Sequence, residues 1–196
     1  MLGKTSRRRR LAEAFALADV VGVLEAGRLI QLGSPEEIYQ SPASAFVARF
    51  TGLAGELVVR VTSKSGPHGT IEVEPVNRAL QLARPLHARA PTNGHAGGSA
   101  LLTVRPTAVR ICAPDLGDHH ILGTVTDVAF RDRGYEHAVD VPGQGIFSGI
   151  FGAWRAARGE TVGLHLESAG CMIFPSAHDG PDDANFAVLS AAPAGG

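Results

Sequence analysis

Cysteine is almost missing from this chain of 196 residues: there are only Cys112 and Cys171, far apart and with no C-x-x-C spacing. That excludes a disulfide framework and a structural zinc knuckle, and it fits a reducing compartment. No apolar run reaches the roughly 18 to 20 residues that cross a bilayer as a helix. The arginines near the start are not followed by the apolar stretch of an export signal. The expectation is a soluble chain that meets a membrane only through a partner. Charge of one sign is lacking too: a net charge of -1 provides no long-range field for nucleic acid or an anionic surface. The local exception, Arg7-Arg8-Arg9-Arg10, reads as a solvated N-terminus, so no nucleic-acid partner is expected.

The chain does hold enough apolar material to fold. Hydrophobic residues make up 44% of it and charged residues 19%, which suits one large or two small folded units. Leu11, Phe15 and Ala18 lie at i, i+4 and i+7, the one-face spacing of a short helix over Leu11 to Asp19. Val20 to Leu24 reads as a buried strand, Glu25-Ala26-Gly27-Arg28 as a turn, and Arg28 to Leu32 as the returning strand of a hairpin. Ser34-Pro35-Glu36-Glu37 begins a helix with a capping box. Ser41-Pro42 repeats the device before a second helix carrying Phe46, Val47 and Phe50 and ended by Gly52.

After Gly52 the period becomes alternating. Strands are expected at Glu56 to Thr62, Thr70 to Glu74, Leu101 to Arg105, Val109 to Ile111, Gly123 to Phe130, His137 to Val141, Ile146 to Phe151 and Thr161 to Leu166. Short strands separated by turn signals indicate an all-β barrel or sandwich, and the short helices before Gly52 are expected to pack on it. Ala83 to Ser99, rich in Pro, Gly and Ala, reads as a mobile loop, and Ala191 to Gly196 as a disordered tail.

Two ordered stretches resemble one family. Ala18-Asp19, Gly27-Arg28, Gln31, Gly33, Ser34-Pro35, Glu37-Ile38-Tyr39, Pro42-Ala43, Phe46-Val47-Ala48, Phe50 and Gly52 follow, in register, the end of the nucleotide-binding domain in ABC importer ATP-binding subunits. Val104-Arg105-Pro106 with Val109-Arg110-Ile111 then resembles an element of the TOBE regulatory domain of those subunits, although Thr107 stands where the family has glutamate. Gly123-Thr124-Val125 through Phe130-Arg131, Tyr135-Glu136-His137 and Val139 resembles its hairpin, with Asp132 in place of the usual glycine. Gly159-Glu160-Thr161-Val162 and Phe174-Pro175 complete the likeness.

The resemblance implies a mainly β chain: residues 1-52 as a small α/β remnant of the nucleotide-binding domain, 53-190 as an OB-like, MOP-like TOBE barrel, and 191-196 as the tail. It also implies an iron(III), polyamine or oxyanion type of importer, self-association through the barrel, permease partners, and a cytoplasmic location peripheral to the inner face of the membrane. The abrupt start of similarity near Ala12 suggests a truncated or frame-shifted reading, or a fragment.

The chemistry of the family's ATPase is not written in these residues. Phosphate cradling needs G-x-x-x-x-G-K-[ST]; Gly3-Lys4-Thr5 has no upstream glycine, and no signature or Walker B segment follows. Arg9 falls where the resemblance calls for the switch histidine, and guanidinium offers no acceptor nitrogen. ATP and magnesium therefore belong to intact family members, with no cofactor expected in this chain and no catalytic, cofactor-binding or metal residue assigned. Asp118, His119-His120, His137, His165 and Cys171 carry metal-ligating atoms without ligand spacing, and His119-His120 reads as a surface loop. Glu36-Glu37 and Asp182-Asp183 are explained as turn residues. Ser148 lacks a nucleophile elbow, and Trp154 with Phe151 reads as a core or dimer contact rather than a base-stacking platform. A free-standing barrel binding an oxyanion such as molybdate or tungstate is the alternative function.

Overall fold

The computed structural model describes residues 15-63, 70-77, 80-89, 99-175 and 188-191. The expectations for Leu11, Gly3-Lys4-Thr5, Arg7 to Arg10, Asp182-Asp183 and residues 192-196 lie outside them. The described residues divide into two compact units, one holding those of 15-51 with 188-191, the other those of 52-175.

In the first unit, β1 (Val20–Glu25) and β2 (Arg28–Gly33) make the expected hairpin. Ala26 (φ 48°) and Gly27 (φ 79°) both take the left-handed conformation, the pair of positive angles that matches a two-residue turn to strand twist. The capping box at α1 (Pro35–Gln40) is complete: the Ser34 N–H donates to Glu37 Oε2 at 2.8 Å and the Glu37 N–H to Ser34 Oγ at 3.2 Å. The second cap differs from expectation. Ser41 closes α1, its N–H donating to Glu37 O, and α2 (Ala45–Thr51) starts from Ser44, whose Oγ accepts from the Val47 N–H at 3.3 Å. Gln31 fixes the connection between the helices, donating to Ser41 O at 3.0 Å and accepting from the Ala43 N–H at 2.8 Å. Both helices bury Ile38 and Val47 with Val21 and Val23, and Phe15, Ala18, Ile30, Phe46 and Phe50 close around them. They therefore complete the hairpin's own core.

The second unit holds β3 (Gly55–Ser63), β4 (Thr70–Pro75), β5 (Leu86–Arg89), β6 (Ser99–Val104), β7 (Val109–Cys112), β8 (Ile121–Arg131), β9 (Gly134–Val141), β10 (Gly145–Gly152), β11 (Thr161–Leu166) and β12 (Cys171–Pro175). All eight strands expected after Gly52 are present, each at least as long as its sequence pattern indicates. Strands β12-β5-β4-β3-β6 close into a barrel, and β10-β9-β8-β11-β7 form a five-stranded sheet. One continuous core, including Leu57, Leu86, Leu102, Phe147, Ile150 and Leu164, serves both. Closure removes free edges, and the mainly β barrel expected from the alternating pattern is what the chain forms.

Two expectations are corrected here. Leu86–Arg89 is a barrel strand, not part of a mobile loop; it pairs with β4, and Leu86 and Ala88 are fully buried. With four residues and one neighbouring proline, its alternation is too short to stand out. Likewise Val188–Ala191, here β13, pairs antiparallel with β1. It belongs to the first unit rather than to a barrel running to residue 190, because the hairpin offered it an open edge.

Candidate functional site

The outer face of the β7–β11 pair gathers most of the unabsorbed chemistry. Strand register sets Cys112 opposite Gly163 and Arg110 opposite His165, and alternation turns these four away from the core that holds Val162, Leu164 and Leu166. The segment 117-120 lies over this face. Gly163 makes the close approach possible: a Cβ there would sit 2.7 Å from His119 Cβ and 2.9 Å from Cys112 Sγ.

Asp118 is the hub. Its carboxylate takes Arg110 Nη2 at 2.6 Å and Arg84 Nη1 at 2.5 Å, with His165 Nδ1 3.5 Å away. The Arg110 hydrogen bond holds the Asp118 carboxyl below the usual carboxylate range. Asp118 and the two arginines are each about half exposed, which keeps the energetic worth of these pairs small. His165 Nδ1 also lies 2.9 Å from the Asp118 carbonyl.

His119 and His120 are buried, at 7% and 8% exposure, which corrects the expected surface loop. Neighbouring side chains diverge, but here each finds cover. His120 Nδ1 accepts the Leu166 N–H at 3.0 Å, and its ring meets that of His165 edge to face at 4.8 Å. Burial first, then the nearby His165 and Arg84, push the His120 imidazole down to about 4. His119 Nδ1 is buried with no hydrogen-bond partner among the described residues. Burial also raises the Cys112 thiol above its ordinary value.

Of the metal-type residues picked from sequence, Asp118, His119, His120 and His165 converge, while His137 and Cys171 lie elsewhere. His137 is fully occupied: Nε2 accepts the Ala156 N–H at 3.3 Å and Nδ1 lies 3.3 Å from Ile150 O. Cys171 is buried among barrel side chains, its thiol pushed up to about 12. Sequence reasoning misses Cys112, Arg84 and Arg110, because they reach Asp118 from β7 and from the connection before β5, segments that no local pattern links to it. No three His, Cys, Asp or Glu side chains among the described residues meet in a metal-binding arrangement.

The remaining candidates have structural roles. Glu37 serves the cap, and Glu36 accepts from Gln40 at 2.9 Å. The Ser148 N–H donates to Ala54 O at 2.9 Å, where β10 bulges. Phe151 is covered by the Arg133 guanidinium at 4.1 Å from the ring centre. Trp154 is 39% exposed beside His137, which removes the core option for it. Arg105, in the V-R-P element, is buried and donates to Gly52 O at 2.8 Å.

No family model matches the chain. The Fe(3+) ions import ATP-binding protein FbpC of Agrobacterium fabrum is 32% identical over 128 residues, 65% of this chain and 33% of that protein. The spermidine/putrescine import ATP-binding protein PotA of Acidothermus cellulolyticus is 32% identical over 129 residues, 65% of this chain and 32% of that protein. The chain is related to the ATP-binding subunits of ABC importers. A third such relative, the sn-glycerol-3-phosphate import ATP-binding protein UgpC of Cupriavidus necator, is 36% identical over 101 residues, 52% of this chain and 28% of that protein. The chain thus spans about a third of the length of the importer subunits it matches. Among solved structures, the cytoplasmic molybdate-binding protein ModG aligns over 63% of this chain and 97% of its own, at a TM-score of 0.44 and 11% identity.

Proposed function

We propose that the chain is the non-catalytic regulatory and dimerisation region of an ABC importer ATP-binding subunit, acting with membrane permease subunits at the cytoplasmic face of the membrane. The observation that carries this reading is the match at 32% identity to importer subunits by residues that contain no phosphate-binding loop. Nucleotide hydrolysis by this family rests on backbone amides and a lysine around the phosphates, with acidic residues for magnesium and water; none of these motifs is written here.

Iron, polyamine and glycerol-phosphate importers match at similar identity. That supports a role common to them and independent of cargo. A barrel with few open strand ends suits a module that must stay folded beside a moving ATPase. The purified chain, incubated with ATP and magnesium, is expected to release phosphate at the rate of a protein-free blank. Magnesium-dependent turnover above that blank would overturn the non-catalytic reading.

A further inference from the structure

We propose that the segment Gly117 to His120 is an acid-sensitive clasp, which ties the connection before β5 to β7 and β11 and lets go when His120 takes up a proton. The device does not rest on the transporter reading. Its ties are polar. The Ala83 N–H donates to His120 O at 2.9 Å and the His120 N–H to Leu164 O at 2.9 Å, while the Asp118 carboxylate holds Arg84 at 2.5 Å and Arg110 at 2.6 Å. The connection that leads into the barrel strand β5 is thus fastened to the five-stranded sheet through Asp118 and His120.

His120 is the pin, and its stereochemistry makes it sensitive to acid. Its Nδ1 accepts the Leu166 N–H at 3.0 Å. A backbone N–H only donates, so Nδ1 must be bare and the neutral ring carries its proton on Nε2. The next proton has to enter at Nδ1, where it sets two donors head to head and leaves the Leu166 N–H unsatisfied. The ring is buried, which leaves the new charge poorly solvated. Opposite it, on β11, stands His165, whose Nδ1 lies 2.9 Å from Asp118 O; a carbonyl only accepts, so this nitrogen carries the proton and Nε2 takes the second one. Two imidazolium rings with centroids 4.8 Å apart repel each other. Arg84 in the connection and His87 on β5 add to the opposition, and Asp118 alone favours the proton.

The closed clasp holds His120 at about 4 against an ordinary 6.5. Between those values a proton prefers the open form, so acid opens the clasp. With the ordinary value regained on opening, the open fraction at pH 5 exceeds that at pH 7 by about twentyfold. The chain carries its own reporters for this. Cys112 Sγ is buried under the clasp, 3.8 Å from Asp118 O, whereas Cys171 is buried in the core shared by barrel and sheet. A local opening bares Cys112 alone; unfolding bares both.

The test treats the full chain with 4,4′-dithiodipyridine at pH 7 and pH 5, at reagent concentrations to which the rate is proportional. Labelling of each cysteine is read by peptide mass and divided by the rate for glutathione at the same pH. The divided rate for Cys112 is expected to rise about twentyfold at pH 5 and to exceed that for Cys171 at both pH values. In His120→Asn, whose amide still accepts the Leu166 N–H, the rise is expected to be lost; circular dichroism establishes that the variant is folded, and the wild-type rates decide the matter where it is not. A Cys112 rate that does not rise, a Cys171 rate equal to it, or the wild-type rise in a folded His120→Asn would overturn the clasp.

Discussion

His120 is an imidazole that the fold holds neutral. Its folded value of about 4 lies below the ordinary 6.5, so between those limits the unfolded chain binds more protons than the folded one. Its contribution to stability is therefore fully present above about pH 6.5 and is lost as pH falls towards 4. Facing it are His165, Arg84 and His87, which oppose its protonation, and Asp118, which favours it. Urea unfolding midpoints are expected to drop from pH 7 to pH 5 in the wild type, and to drop less in His120→Asn, whose amide can still accept the Leu166 N–H. An equal drop in both would contradict this assignment. The state of this residue is not legible in the sequence: a His-His pair beside an aspartate looks exposed until the segment before β8 is seen to lie on β11. Cys112 is hidden for a similar reason, since nothing local distinguishes it from a small core residue.

Elements whose causes are local are legible. The Ser34-Pro35-x-Glu37 box and the Ala26-Gly27 turn are dictated within four residues, and both form as the sequence indicates. Ser34→Ala is expected to destabilise the first unit by about 1 kcal/mol, the usual cost of losing such a cap, measured by denaturant unfolding; no change would mean the box is ornamental. Elements whose causes are distant escape a local reading. The strand Leu86–Arg89 exists because β4 and β12 flank it, and β13 because β1 had a free edge. The helix α2 shows the intermediate case: its apolar face is evident, but Ser41 and Ser44 are equally good caps in isolation, and Gln31 decides between them by holding the intervening backbone.

At the scale of the whole molecule, two units with separate cores, one built on Ile38 and Val47 and the other on residues such as Phe147 and Leu102, correspond to the two stretches of family likeness. The boundary falls at Gly52, the residue at which the hydrophobic period switches from helical to alternating. That change of period is visible in the sequence; the pairing of Val188–Ala191 with β1 is not, because nothing within either segment names its partner. The function proposed for the chain is association rather than catalysis, and sedimentation equilibrium of the purified chain at tens of micromolar reads association itself. The expected result is a mass twice the 20.4 kDa of one chain; a single species of 20.4 kDa at all concentrations would contradict it.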